Sequence, residues 1–480
     1  MNYTMIGFFF YFFAVLILGF IAYRLNKSHS DYFLAGRKLN PWLVAFSERA
    51  SGESAWLLLG LPGAALAVGL IEAWTAIGCV SGIILSWYII AKDLREQTEK
   101  YDSITLPTFL ANKLGGDTRL LRICSTLIII FFFTFYLAAQ FNGAGKVLYV
   151  TFGIPHFWGL VIGGTIIVIY TMIGGFFAVV WTDFIQGVIM LGALIVIPII
   201  GIIELSDQGI TIGEALNSAG NNVSSWSGGN SGWVSAAMII GGLSWGFGYF
   251  GQPHVITRFM AINDPNKIKI SRRVAIAWAI PAFSGAMMIG LIGLALYGQG
   301  HFSDVEQIMP TMAAELLPAW LAGIFISGAI AAMMSTADSQ LLVISSSVIE
   351  DFYVKTLGKR VTQKRLLFLS RAITLTVGVF GFIIAATSEK LIFTLVSYAW
   401  AGLGSSFGPA ILLTLKWKKT TRQGVLAGML TGAITTIIWQ NIETLDNMIS
   451  VRFTSFIFAF LVIIIVSLVT YNRENNQSKE

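Results

Sequence analysis

A chain of 480 residues that is 55% hydrophobic and 12% charged, with a mean hydropathy of +0.74, carries about half the charge of an ordinary soluble protein. That excludes a soluble globular domain and indicates an integral membrane protein with many spans. The formal net charge of +6 is explained by basic residues gathered in cytoplasmic loops, so the lipid bilayer rather than nucleic acid is the expected partner.

A membrane span needs about 20 apolar residues. Runs of this kind cover 4–23, 42–68, 70–91, 122–149, 155–175, 180–203, 233–255, 274–298, 311–349, 367–387, 391–415, 423–441 and 450–471, which predicts about thirteen transmembrane helices. The first run has no basic segment before it and no small-residue cleavage site after it, so it reads as a retained span. The run 311–349 is too long for one simple helix; it should continue into the cytoplasm or begin in a short extracellular helix. With the N-terminus outside and the C-terminus inside, nearly all of the 31 Lys and Arg fall on the inner side. The exceptions are Lys390 and Arg452 outside, and Arg49 and Lys146 within spans. The outer loops around 204–232 and 299–310 hold acids but no Lys or Arg. This asymmetry predicts a multi-pass protein of the cell membrane in that orientation. The residues after Tyr471 are expected to form a short, polar, disordered cytoplasmic tail.

Two spans are interrupted. The second contains 47-SERASGESAWLLLGLPG-63, where Glu48, Arg49 and Glu53 sit in an apolar run and a break is expected near Ser51-Gly52. The seventh contains 241-GGLSWGFGYFGQPH-254. These segments are five spans apart, so 41–204 and 232–415 are expected to form two five-helix units of opposite orientation. Residues 1–40 precede them as an extra helix and cytoplasmic loop; 416–471 follow as two C-terminal helices, and 472–480 as the tail. In transporters built from inverted repeats, the ligand site lies where such interrupted helices meet.

The ninth span carries Ser335, Thr336, Asp338 and Ser339. Hydroxyl and carbonyl oxygens at this density suit a hard, desolvated monovalent cation. The competing reading is that the hydroxyls bond back to their own helix, which serves Ser345–Ser347 well but leaves the Asp338 carboxylate needing a partner. Unwound backbone at Gly52 would free carbonyls such as that of Ala50 to face those hydroxyls. Trp56, Tyr136, Trp245 and Tyr249 are candidates to line a small pocket beside the break. Asp183, at the predicted cytoplasmic end of its span, reads either as a functional carboxylate or as a solvated cap.

At these residues the sequence resembles the sodium:solute symporter family, and within it the sodium/proline symporters. The matching strings are LLLGLPGAAL (57–66), FFFTFY (131–136), IGGFFAVVWTDFIQ (173–186), WGFGYFGQPHVITRFMA (245–261), AAMMSTADSQLLVISS (331–346) and LVSYAWAGLGSSFGPAILL (395–413). The resemblance implies an all-α membrane protein with the leucine-transporter-type five-plus-five inverted repeat. It also implies sodium-driven uptake of a small solute. By motif position, Ala50, Glu53, Ala332, Ser335 and Thr336 fall at the family's main sodium site, the first three through backbone carbonyls. Asp183, Ser335, Asp338 and Ser339 fall near a second cation site of some relatives. Ser54, Trp56, Tyr136, Trp245, Tyr249 and Pro253 match substrate-pocket positions. One departure stands out: where proline carriers read Ala-Ser-Asp-Met-Ser-Gly-Trp, this chain has Ala50-Ser51-Gly52-Glu53-Ser54-Ala55-Trp56. The aspartate is replaced by Gly52 and a carboxylate follows one residue later. Glu53 is therefore expected beside sodium or as a proton carrier, with Glu48 and Arg49 paired to one another or to neighbouring helices.

The reading is a secondary active symporter, not an enzyme, coupling sodium flux to uptake of a small amino-acid-like solute, first of all L-proline. The alternatives are a proton-coupled carrier, or a carrier of a carboxylate or betaine. A membrane sensor would bring a signalling domain, for which the tail leaves no room. A metalloenzyme would need clustered ligands, whereas His29, His156, His254 and His301 are scattered. No protein partner is expected.

Overall fold

The computed structural model describes residues 33–173, 175–360, 362–388 and 390–477, together with 5–7, 9–11, 13 and 17. Most of the predicted first span, its following loop up to residue 32, and the end of the tail lie outside the described residues. The described chain is helical throughout. The helices used below are α1 (Pro41–Ala55), α2 (Leu61–Val68), α3 (Ala73–Ile89), α4 (Arg119–Phe152), α5 (His156–Ile173), α6 (Phe176–Asp207), α7 (Gly232–Leu243), α8 (Pro253–Ala261), α9 (Ile268–Tyr297), α10 (Ala319–Ser346), α11 (Gln363–Thr387), α12 (Ile392–Lys416), α13 (Arg422–Asn441) and α14 (Val451–Gln477). Among the described residues, seven helical stretches are long and apolar enough to cross a membrane, or eight if the bent pair Gly232–Gly248 and Pro253–Ala261 is one span.

Local chemistry sets the ends. Asn40 caps α1, accepting from the Trp42 N–H at 2.9 Å, and Pro41 occupies the first turn, where a missing N–H costs nothing. Pro253 does the same for α8. At the start of α12, the backbone N–H groups of Ile392 and Phe393 donate to the Glu306 carboxylate, each at 2.9 Å. Glu306 is itself paired with Lys146 of α4, so one acidic residue of the short turn Val305–Gln307 caps one helix and neutralises a charge in another.

The long run 311–349 resolves into three parts. A separate helix, Ile308–Leu316, precedes α10, and a π-helical extension, Ser347–Thr356, follows it. The last helix continues to Gln477, so residues 472–477, expected as a disordered tail, are helical. α1 lies in the middle of the molecule, packed by α6, α8, α9 and α10, while α12, α13 and α14 pack together at one side.

The break in the second span differs from expectation. Gly52 stays helical, and the backbone leaves the helix at Ser54, with φ 39° and ψ −166°. A π-helical turn, Trp56–Gly60, then leads into α2. The freed groups are satisfied locally: the Trp56 N–H donates to the Ser54 hydroxyl at 3.3 Å and the Ala55 N–H to Gln140 Oε1 at 3.2 Å. Gly52 serves close packing instead, since a Cβ there would stand 3.3 Å from a Val255 methyl of α8. The other interrupted span turns through Trp245–Gly248 and restarts at Pro253, bent by 40°. Trp400 of α12 ties it down, donating from Nε1 to the Trp245 carbonyl at 2.9 Å while its own carbonyl accepts from Gln252 at 3.0 Å.

Candidate functional site

Three clusters meet around the two breaks. The first is made of oxygens. Ser335 Oγ donates to the Ala50 carbonyl at 2.9 Å and lies 3.1 Å from the Ala332 carbonyl, and Thr336 Oγ1 donates to the Ser51 carbonyl at 3.0 Å. All five residues are fully buried. Neutral oxygens from two helices converge with no carboxylate or amine among them, a donor set that fits a dehydrated alkali cation rather than a divalent one. Ala50, Ala332, Ser335 and Thr336, expected together from the motif positions of the family resemblance, are in contact.

The Glu53 side chain turns to charged and aromatic partners. Its carboxylate accepts from Arg49 Nη1 at 2.5 Å and from the Tyr249 hydroxyl at 3.1 Å. Its backbone carbonyl accepts from the Trp56 N–H. Arg49 also holds Glu48, which accepts from Trp87 Nε1 at 3.3 Å. The three charges of the opening segment therefore form one buried triad between α1, α3 and the second break. The expected Glu48–Arg49 pair is present, and the Glu53 carboxylate, expected beside sodium or as a proton carrier, is held by Arg49 and Tyr249.

The second cluster surrounds Asp183. This residue is fully buried, so the solvated-cap reading is wrong. Its Oδ2 accepts from Ser47 at 2.6 Å, Ser51 at 3.0 Å and Arg258 at 3.3 Å. Arg258, expected in a cytoplasmic loop, is fully buried; it also donates to Ser51 at 2.8 Å, to the Ser339 hydroxyl and to the His254 carbonyl. Asp338 accepts from Ser339 at 3.2 Å. The possible second cation site is therefore partly filled by a guanidinium, with Asp183 Oδ1 and Asp338 Oδ2 left as unpartnered oxygens. Sequence reasoning missed Arg258. Its signal is the register of the Gln-Pro-His block: it stands one helical turn after His254, on a helix that begins mid-protein.

The third cluster is aromatic. Trp56 stacks on Trp245 with centroids 4.7 Å apart, and Phe283 and Phe393 close around Trp56. Trp400, also missed as a site residue, packs edge-on against Tyr249 at 4.9 Å and against Tyr136 at 6.5 Å. The Tyr136 hydroxyl donates to Ser54 at 3.4 Å. Ser54, Trp56, Tyr136, Trp245 and Tyr249 are all fully buried, and the indole N–H groups of Trp56 and Trp245 have no partner. Two buried donors without acceptors, within an aromatic box at a helix break, suit the carboxylate of a small solute. Pro253 stands apart from this box. It starts α8 and lines a narrow crevice with Phe176, Thr257 and Leu342.

Known proteins are similar to this chain in sequence and in fold. The chain is 41% identical over 459 residues to the high-affinity proline transporter PutP of Bacillus subtilis, covering 95% of this chain and 96% of that one. It is 38% identical over 465 residues to the sodium/proline symporter of Escherichia coli, covering 95% and 91%. Among solved structures, a Na+-coupled sialic acid symporter in a substrate-bound outward-open state superposes with a TM-score of 0.80 at 19% identity, covering 98% of both chains. A nucleobase-cation-symport-1 family transporter matches with a TM-score of 0.56 at 16% identity, covering 93% of this chain and 96% of that one. Residues 32–432 match the sodium:solute symporter family, and with that match and 41% identity to a relative covered almost end to end, the chain belongs to that family.

Proposed function

We propose that this protein is a secondary active symporter that couples inward sodium flux to uptake of a small amino acid, with L-proline the first candidate. The observation that carries the reading is the convergence of the Ala50, Ser51 and Ala332 carbonyls with the Ser335 and Thr336 hydroxyls beside the Ser54 break. The names of the Bacillus subtilis and Escherichia coli relatives support proline, and the second also supports sodium.

In this reading the chain crosses the membrane thirteen times, N-terminus outside and C-terminus inside, as two five-helix repeats (41–204 and 232–415) flanked by one helix before and two after. Sodium arriving from outside draws the carbonyls of α1 and the hydroxyls of α10 onto itself and pins the two helices together. Because Ser54 and Trp56 follow the same stretch of α1, that pinning orders one wall of the solute pocket. The unpartnered indole N–H groups of Trp56 and Trp245 receive the solute carboxylate. Rocking of one helix bundle against the other then opens both ligands to the cytoplasm. One monovalent charge crossing with the membrane potential contributes about 2.3 kcal/mol per 100 mV. That alone supports roughly fifty-fold accumulation.

A proton-coupled carrier is the second reading, favoured by the unpartnered carboxylate oxygens of Asp183 and Asp338. Uptake of radiolabelled proline into proteoliposomes separates the two. Accumulation driven by a sodium gradient at equal pH supports sodium; accumulation driven only by an imposed proton gradient selects the alternative. Uptake of proline under neither gradient rejects proline as the solute.

A further inference from the structure

Between α5 and α11 runs a groove of about 570 Å³ with an almost wholly apolar lining. It opens on the surface, where Ile169, Leu375 and Val379 are each roughly half exposed. Its depth comes from two glycines in the lining. A Cβ on Gly378 would stand 2.7 Å from a Val168 methyl, and one on Gly164 would stand 3.5 Å from the Phe141 ring. From Phe157 to Met172 the groove follows about 22 Å of helix. That exceeds the ~15 Å depth of hydrocarbon in one leaflet.

The two ends of the groove differ. At one, the rings of Phe157 and Phe382 meet edge to face, with centroids 6.2 Å apart, and close it. At the other, Arg371 Nε donates to the Met172 carbonyl at 3.1 Å, which fixes the guanidinium at the mouth. Its two terminal nitrogens have no hydrogen bond or ion pair among the described residues. The sequence of α11 puts this charge and the groove on one side. Lys364, Phe368, Arg371, Leu375, Gly378 and Phe382 recur at intervals of three and four, so they stack along a single face that begins basic and ends apolar. Residues 352–388 contain six Lys and Arg and no Asp or Glu. Lys355 already faces Glu350 at 3.7 Å, and Arg365 lies over the Tyr353 ring at 5.4 Å, whereas Arg371 is exposed and keeps free donors. A guanidinium at the mouth of an apolar groove complements a phosphate joined to a hydrocarbon chain. Free phosphate would leave the groove empty, and a zwitterionic headgroup would bring a second cation to a basic surface.

We propose that this groove binds an anionic phospholipid of the cytoplasmic leaflet, with one acyl chain lying between α5 and α11 and the phosphate held by Arg371, Lys364 standing behind it. The proposal rests on the membrane orientation given above, which puts the Arg371 end at the cytoplasmic surface. It is independent of which solute or ion is carried.

The test reads lipid retention rather than transport. Full-length protein, stripped of lipid in detergent and offered equal amounts of phosphatidylglycerol and phosphatidylcholine, is followed by native mass spectrometry. One phosphatidylglycerol per chain should be retained in preference to phosphatidylcholine. Arg371→Gln should lower that preference about fivefold, the contribution of one basic residue near an anionic headgroup, and Arg371→Lys should keep most of it. Val379→Trp fills the groove but leaves Arg371 in place, and should lose the retained lipid. Lys418→Gln removes an exposed charge away from the groove and should change nothing. Thermal unfolding confirms that each variant is folded; added phosphatidylglycerol should raise the midpoint of the wild type and not that of Val379→Trp. Equal retention of the two lipids would overturn the proposal, as would wild-type retention in Val379→Trp or equal losses in Arg371→Gln and Lys418→Gln. Displacement of the lipid by glycerol 3-phosphate would also overturn it, because the phosphate alone would then suffice. Sodium-driven proline uptake, measured after reconstitution of the same protein, reports separately on the symport reading.

Discussion

The proposed sodium site rests on Ser335 and Thr336, whose hydroxyls face the carbonyls of another helix. Ser335→Ala should raise the sodium concentration for half-maximal uptake roughly tenfold, the loss of one good oxygen ligand at about 1.4 kcal/mol. Glu53→Gln should leave that concentration nearly unchanged, because its carboxylate serves Arg49 and Tyr249. Sodium titration of uptake for the two variants checks the contrast, and equal shifts would return Glu53 to the cation site. The Asp183–Arg258 pair is a different case, a charge pair wholly removed from water. Removing one member leaves the other uncompensated, typically at about 3–5 kcal/mol. Asp183→Asn and Arg258→Met should each lower the thermal midpoint strongly, and the double variant should recover much of that loss; simple addition of the two losses would argue against a direct pair. The hydroxyls of α10 were legible in the sequence because polar side chains in an apolar run have few other uses. Arg258 was not. Charge counting assigns a guanidinium to a loop unless its partner is known, and Asp183 lies 75 positions away in the chain.

At the scale of elements, both interruptions were legible from glycine, proline and polar residues in apolar runs, but the exact place of the first was not. Glycine drew the expected break to Gly52, whereas that glycine is kept for close approach to α8 and Ser54 takes the strained backbone. A non-glycine residue held there costs on the order of 1–3 kcal/mol, a strain offset by the contacts of Ser54 with Trp56 and Tyr136. Packing around the second break is equally specific. Gly82 of α3 faces Gly246 so closely that a Cβ would stand 2.3 Å from the Gly246 carbonyl oxygen. Since backbone cannot yield as a side chain can, Gly82→Val should push α3 away from the turn that carries Trp245. The expected result is a large loss of proline uptake in protein that still reaches the membrane, measured by transport together with surface labelling. Wild-type uptake in this variant would show that the close approach is dispensable.

For the whole molecule, charge and apolar patterning point to a multi-pass membrane protein, and the proposed alternating mechanism rests on the two breaks. Composition does not reveal how the three clusters share one segment of α1. Ser47 and Ser51 hold Asp183, the Ala50 and Ser51 carbonyls meet α10, and Ser54 and Trp56 enter the aromatic box. The proposed coupling follows from that sharing, since anything that fixes the middle of the segment also fixes the proposed pocket wall four residues on. The most direct measurement is equilibrium binding of radiolabelled sodium to the purified protein, with and without proline, for wild type and for the Ser335→Ala/Thr336→Val double variant. The account predicts sodium binding that tightens when proline is present, and its loss in the double variant. Sodium binding in the double variant equal to wild type, with the same response to proline, would contradict it.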